Sequence, residues 1–183
     1  MSTETKVSGS ETGAQRGRLD GQSDIARIAL QERELVFPEF SEETAWHIGN
    51  RLRTLATERR LSIVIDVRRI GQQLFYTALP GTTSDNPEWA RRKSNVVFRF
   101  HRSSYAVGLD LEQKQSSIEA RGLPITDYAA HGGSFPIRVP NAGLVAAVTV
   151  SGLPQRADHE LVVEGLCAEL SQDYQSLRLS PAP

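Results

Sequence analysis

The amino-acid sequence predicts an α/β fold of the α+β type, in which an antiparallel sheet has helices packed on it. Strand patterns occur as two hairpins, one over 61–78 and one over 136–150, instead of alternating strictly with helices. Amphipathic helical patterns precede, separate and follow these hairpins. The order along the chain is therefore helix, hairpin, helices, hairpin, helix, which favours antiparallel pairing.

Local signals define the first helices and the first hairpin. Asp24 is a suitable N-cap for a short helix. Ser41 is a second N-cap, and the acidic residues after it suit the positive end of a helix that runs to about Arg60. The β-branched run 61–67 predicts a strand, and 73–78 predicts its hairpin partner.

The middle of the chain has a loop followed by two helices. Residues 80–87 are rich in Pro, Gly, Thr and Asn, which is typical of a loop. A helix is predicted from Pro87, in the favoured first position, to Ser103. A second helical segment is predicted from Gly108 to about Gly122.

The least polar stretch, 128–152, forms the predicted centre of the molecule. Residues 144–150 are an almost unbroken apolar run, which suits a strand buried on both faces. A short strand begins at Pro136, and a turn at 140–143 joins the two. The pair Gly132-Gly133 permits a positive φ or a close backbone approach beside His131. The final helix begins at Pro154.

Length and composition predict one domain of a cytoplasmic protein. The chain has 183 residues, a formal net charge of −1, 39% hydrophobic and 23% charged residues. We expect a disordered tail over 1–22, a domain over 23–174 and a loose tail over 175–183. No apolar run is long enough to span a bilayer, the N-terminus lacks a secretory pattern, and the near-neutral charge argues against nucleic-acid and membrane partners.

Lys93 is the first candidate functional residue. At about 100° per residue it shares a helix face with Trp89, Val96 and Phe100. In that position its ammonium group can bind an anion or have its pKa lowered for chemistry. Alternatively, its stem lies along the core and the ammonium reaches water. The arginines on the same helix favour a solvated face or a subunit contact.

His131 and Asp66 are the other candidates. His131, beside two glycines, can present its imidazole to an anion, a metal or a haem iron, or it is a loop histidine with a local hydrogen bond. Asp66 is either catalytic or paired with Arg68 or Arg69. The only cysteine, Cys167, is predicted to be a buried, unreactive thiol. The sequence contains no metal-ligand motif.

Four blocks of the sequence resemble one known family. They are 65–68 (IDVR), 74–93 (LFYTALPGTTSDNPEWARRK), 131–137 (HGGSFPI) and 148–152 (VTVSG). The chain is similar to the haem-degrading-domain family, the GlcG/HbpS-like group, and within it to an uncharacterised cytoplasmic branch. The resemblance covers about Glu32 to Leu170. It implies a profilin-like fold with the antiparallel sheet sandwiched between helices, assembly into homo-oligomers, and an association with haem in some members.

These signals together give a set of candidate ligand contacts. They are Tyr76, Pro80, Gly81, Thr82, Asn86, Trp89, Lys93, His131, Gly132, Gly133 and Phe135. The leading hypothesis is an oligomer that binds a small anionic ligand, with haem or another tetrapyrrole as the candidate cofactor and His131 as the candidate haem ligand. One alternative is an adaptor or assembly protein that recruits a protein partner without chemistry. The other is an enzyme acting on a small metabolite through Lys93, His131 or Asp66.

Overall fold

The structure is a computed structural model that describes residues 24–180, so the predicted disordered tail over 1–22 lies outside the described residues. The helices are 24–34 (α1), Glu42–Glu58 (α2), Asp85–Phe100 (α3), Ser104–Gln113 (α4), Gln155–Glu169 (α5) and Tyr174–Leu177 (α6), with a 3₁₀ turn at Glu119–Arg121. The strands are Val64–Arg69 (β1), Gln72–Ala78 (β2), Ser134–Val139 (β3) and Gly143–Ser151 (β4). Within 24–180, no helix combines the length and apolar character needed to cross a membrane.

The four strands form one antiparallel sheet in the order β2-β1-β4-β3. Strand β4 pairs with β1 on one side and β3 on the other, which confirms that the apolar run near residue 147 forms a central strand. Strand β3 begins at Ser134, two residues before the predicted start at Pro136. Because β3 is an edge strand, a proline inside it is tolerated.

Strand register gives the sheet two different faces. Val67, Phe75, Val148 and Phe135 are neighbours across the four strands and join the main apolar core beneath α2 and α5. The opposite face, which α3 covers, is polar where Ser134 bonds to Thr149 on the adjacent strand. This arrangement confirms the predicted antiparallel sheet sandwiched between helices.

Helix α2 begins as its sequence predicts, whereas α3 and α4 do not. Ser41 caps α2 by accepting the Thr44 N–H at 3.2 Å. Helix α3 begins at Asp85, so Pro87 lies in its first turn, where N–H groups have no partner inside the helix. Helix α4 begins at Ser104, and the predicted start at Gly108 is wrong.

Position 108, inside α4, requires a glycine because another segment packs closely there. A Cβ atom at this position would lie well under 3.0 Å from the backbone oxygen of Ala130. Between α3 and α4, His101 adopts a left-handed conformation with φ 54°, which ends α3 before the predicted Ser103. Ser103 instead caps α4 by accepting the Ala106 N–H at 3.2 Å.

The predicted loose segment from residue 175 differs from the structure up to residue 180. Leu177 and Leu179 are only 4% and 2% exposed, so both side chains are part of the core. The Leu177 carbonyl accepts a hydrogen bond from the Gln31 amide at 2.8 Å. Burial of two leucines favours an ordered segment, and this outweighs the polar residues around them.

Candidate functional site

A cleft of about 400 Å³ opens between α3, α4, the segment after α4 and the start of α5. Its lining is mostly apolar, with a few polar side chains, as is typical of small-molecule sites. The aromatic, charged and amide side chains of its lining include Trp89, Arg92, Glu112, Tyr128, His131 and Gln155. Of the candidate ligand contacts, Trp89 and His131 lie in this lining.

Trp89, Arg92 and His131 form a stack on one wall of the cleft. The Trp89 and His131 rings meet edge to face, with centroids 5.2 Å apart. The Arg92 guanidinium lies 4.1 Å from the centroid of the Trp89 ring, a cation–π distance. The indole N–H of Trp89 donates to Asp85 at 2.8 Å, which holds the ring in place. The three groups therefore present a fixed aromatic and cationic surface.

The electrostatic surroundings of His131 favour a neutral imidazole. Burial lowers the pKa of His131, and the cations of Lys93 and Arg92 lower it further, against a small opposing effect of Glu112. A neutral imidazole keeps one lone pair free, and this is the form that binds metals. Within 24–180, no group of three or more His, Cys, Asp or Glu side chains is placed to hold a metal ion.

Two glycines allow the backbone after His131 to pack closely against α5 and α3. A Cβ at Gly132 would lie well under 3.0 Å from the Gln155 carbonyl oxygen. Gly133 has φ 123°, and a Cβ there would lie 2.8 Å from the Lys93 Nζ. The Gly132 N–H also donates to the side-chain oxygen of Gln155 at 3.3 Å. These contacts hold the His131 backbone on the cleft wall.

Lys93 lies behind that wall, in a buried ion pair with Asp158. Its ammonium group donates to Asp158 at 2.7 Å and to the Val150 carbonyl at 3.2 Å. Asp158 also accepts the Leu153 N–H at 3.0 Å. Burial lowers the pKa of Lys93 and raises that of Asp158, while the attraction between the two charges opposes both shifts. The Lys93 ammonium therefore neither lines the cleft nor reaches water. This position differs from both alternatives that the sequence suggests.

The remaining candidate contacts lie elsewhere. Tyr76 is 41% exposed on strand β2, which is the edge strand farthest from β3. The loop 80–86 lies before α3 and is closed on itself by the Thr83 N–H bond to Asn86 at 2.8 Å. Phe135 is fully buried in the main core. The structure therefore does not bring Tyr76, Pro80, Gly81, Thr82, Asn86 or Phe135 into the cleft.

Asp66 also lies outside the cleft. Its buried carboxylate accepts hydrogen bonds from Arg68 at 2.5 and 3.0 Å and from Gln73 at 2.5 Å. The alternative in which Asp66 pairs with Arg68 is thus confirmed. Because the Lys93 ammonium is engaged by Asp158, one chain does not assemble the three groups of the enzyme hypothesis in a single cleft.

Cys167 and Arg92 show what sequence patterns can and cannot identify. Cys167 is buried, as predicted, and burial raises the pKa of its thiol to about 11. Sequence patterns do not single out Arg92 as a cleft residue, although its spacing of three from Trp89 on a helix is a usable signal. Nothing in the local sequence connects Lys93 with Asp158, because 65 residues separate them.

Comparisons with known proteins agree on the family. The model of the haem degrading protein HbpS-like family matches residues 40–167. A UPF0303 protein of Acidobacterium capsulatum is 61% identical over 87% of this chain and 97% of its own length. A UPF0303 protein of Burkholderia ambifaria is 55% identical over 88% of this chain and 99% of its own length.

Solved structures show the same fold. The Ybr137w protein has a TM-score of 0.77 and 25% identity, over 85% of this chain and 93% of that one. A PduOC:heme complex has a TM-score of 0.59 and 14% identity, over 71% of this chain and 94% of that one. The family match and the sequence relatives together confirm the resemblance, and the chain belongs to the HbpS-like haem degrading protein family.

Proposed function

We propose that this protein binds a small anionic ligand with a planar ring system in the His131 cleft, and that haem or another tetrapyrrole is the ligand class. The observation that carries the proposal is the stack of Trp89, Arg92 and His131 on one wall of a largely apolar cleft. An aromatic wall suits a flat ligand, and a guanidinium suits its carboxylates.

Each group on the wall has a separate part in this proposal. The neutral His131 imidazole can supply a nitrogen ligand to a haem iron, which is a common axial ligand in proteins. Arg92 can pair with a carboxylate while remaining stacked on Trp89. The Gly132-Gly133 backbone keeps the imidazole at the edge of the cleft. Haem fits this donor set, and when bound it would supply the iron that His131 ligates.

The family supports this ligand class. The matching family model is described as a haem degrading protein, and one structure of the same fold is a complex of another protein with haem. The sequence identity to that complex is low, so support for a ligand in this chain comes chiefly from the cleft itself.

A haemin titration of the full chain tests the proposal. Wild-type protein should shift the Soret band saturably, with one haemin per chain, and His131→Ala should remove the shift or move its position. His47→Ala is the matched control, because His47 is a half-exposed histidine on α2, on the other side of the sheet. A shift that survives unchanged in His131→Ala would contradict ligation by His131.

Acid should weaken this binding, since protonation occupies the ring nitrogen that would hold the iron. Because surrounding groups lower the pKa of His131, the haemin affinity should stay constant over the pH range in which an ordinary histidine titrates. It should decrease only at lower pH.

A fluorescence titration gives a second measure of the same binding. In a Trp46→Phe variant, Trp89 is the only tryptophan, and haemin should quench its fluorescence with the affinity found in the Soret titration. Quenching without a Soret shift would indicate a different ligation from the one proposed.

We also propose that the chain assembles into homo-oligomers in the cytoplasm. One supporting feature is a groove of about 630 Å³ along α2 and α5, where Trp46 is 56% exposed beside Leu55 and Ala168. Exposed apolar surfaces of this kind are typical of protein contacts. Native mass spectrometry should give a multiple of the chain mass, reduced in Trp46→Ser. A monomer at all concentrations would refute this part of the proposal. In the adaptor hypothesis, the same surface would bind a different protein.

A further inference from the structure

A second recess, of about 280 Å³, lies where the β1–β2 turn meets the end of α3. Three arginines line it, together with Asn95, Phe98 and Tyr128. The arginines are Arg68, Arg69 and Arg99. Tyr128 also lines the His131 cleft, so the two depressions are neighbours that share one side chain.

The charges of the recess are only partly compensated. Arg68 pairs with the buried Asp66, and Arg69 pairs with Glu42 at the start of α2. Arg99 is exposed, and its side chain has no ion-pair or hydrogen-bond partner within residues 24–180. Two of the three guanidinium charges are therefore neutralised, and Arg99 leaves the recess with a net positive charge.

The Arg68 side chain is held in position from below. Asp66 is fully buried, and its two oxygens accept the Nε and one terminal N–H of Arg68. This side-on arrangement uses one edge of the guanidinium and leaves the other terminal nitrogen without an acceptor among the described residues. Arg68 is 24% exposed, so its remaining donors can be reached by a small molecule. A guanidinium held in this way loses little entropy when it binds an anion.

We infer that this recess is a binding site for an oxyanion, a phosphate or carboxylate group of a small molecule, held between Arg68 and Arg99. Guanidinium groups bind both kinds of oxyanion through paired hydrogen bonds. The site is separate from the proposed haem contacts, since neither arginine lines the His131 cleft. A ligand of the recess would contact the exposed face of the hairpin turn at Ile70 and Gly71.

Calorimetric titration of the full chain with pyrophosphate at low ionic strength tests this inference. Saturable binding with one anion per chain is expected, and it should weaken at about 0.15 M salt because surface charges are screened there. Arg99→Gln should weaken it about tenfold or more, the loss expected for a charge-assisted hydrogen bond. The affinity of Arg99→Lys should lie between those of the wild type and Arg99→Gln, because lysine keeps the charge but cannot form the paired hydrogen bonds.

The matched control is Arg53→Gln, which removes the same charge from an exposed position on α2, on the opposite face of the sheet. It should bind pyrophosphate as the wild type does. Equal losses in Arg53→Gln and Arg99→Gln would overturn the site, since they would indicate a general charge effect. Loss in Arg92→Gln but not in Arg99→Gln would place the anion in the His131 cleft and also overturn it.

A parallel titration with malonate distinguishes the two sources of oxyanion. Tighter binding of pyrophosphate would assign a phosphate ligand, and tighter binding of malonate would assign a carboxylate ligand. Either outcome supports the recess if Arg99→Gln weakens the binding of that anion about tenfold or more. No saturable heat with either anion at low ionic strength would refute the inference. This result would not affect the haem proposal, because haemin binding is measured separately by the shift of the Soret band.

Discussion

Acid should destabilise this protein through one buried histidine, His159. Its side chain is fully buried in α5, among Tyr105 of α4, Phe135 of β3 and Gln31 of α1. The Gln31 amide donates to a backbone carbonyl, so its oxygen faces His159 and accepts the Nε2–H at 2.8 Å. The neutral ring thus carries its proton on Nε2. Within residues 24–180, Nδ1 has no hydrogen-bond partner.

Protonation would place a charged Nδ1–H in an apolar site without an acceptor. Burial, with a smaller effect of the Arg156 cation, lowers the pKa of His159 from 6.5 to about 3. The unfolded chain therefore binds a proton below about pH 6.5 that the folded chain refuses until about pH 3. At about 1.4 kcal/mol per pH unit, the free energy of unfolding should fall by roughly 2 kcal/mol between pH 7.5 and pH 5 from this group alone.

The assay is urea unfolding at several pH values between about 7.5 and 5. His159→Gln is the informative variant, because its amide can still donate to Gln31 and cannot titrate. Its stability should fall by about 2 kcal/mol less than that of the wild type over this range. Parallel profiles for wild type and His159→Gln would refute the argument that His159 is held neutral.

Three further predictions concern packing and charge, and each is measured by denaturant unfolding. Lys93→Met should cost about 3–5 kcal/mol, because it leaves Asp158 buried without its partner. Gly49→Ala should cost about 1–3 kcal/mol, since its Cβ would lie well under 3.0 Å from the Phe75 ring in a packed core. Leu179→Ala should cost about 2–5 kcal/mol, because this side chain is only 2% exposed.

Each of these predictions has a result that would contradict it. Lys114→Met removes a lysine from an exposed ion pair and should lower the free energy of unfolding by at most about 1 kcal/mol. If Lys93→Met costs no more than Lys114→Met, the burial of Lys93 is unimportant for stability. A Gly49→Ala protein as stable as wild type would mean that the Phe75 ring moves aside without cost. A Leu179→Ala protein as stable as wild type would restore the prediction of a loose C-terminal segment.

Most of the fold could be predicted because its signals are local. Period-two and period-3.6 patterns, together with the Ser41 cap, identify the hairpins and α2 within a few residues. Predictions failed where packing between distant segments decides the outcome. Gly108 resembles a helix start, yet it lies inside α4, where the close approach of Ala130 leaves no room for a side chain. The segment near Leu179 looks polar and loose, yet it fills a gap beside α1 and α4.

The candidate site was predictable in part for the same reason. Trp89 and His131 were identifiable from helix spacing and from the glycine pair, and the structure places them side by side. Arg92 is recognisable as a site residue only once the ring beneath it is located. Tyr76 and Phe135 belong to the resembling blocks, but strand order and strand register place them on a far edge and in the core. Neither strand order nor register is encoded by a motif.

The buried pair of Lys93 and Asp158 is best explained as a device that positions the cleft wall. For stability alone, well-packed apolar residues often serve as well as a buried ion pair, because both charges lose their hydration. This pair, however, connects α3, β4 and α5 behind Gly133, and Trp89 lies one helical turn before Lys93. We therefore expect Lys93→Met combined with Asp158→Leu to regain much of the stability that Lys93→Met loses. The double variant should still bind haemin more weakly than wild type in the Soret titration, because the polar link from α3 through Lys93 to Asp158 and the Val150 carbonyl is then lost. Recovery of both stability and haemin affinity would show that the ion pair has no positioning role.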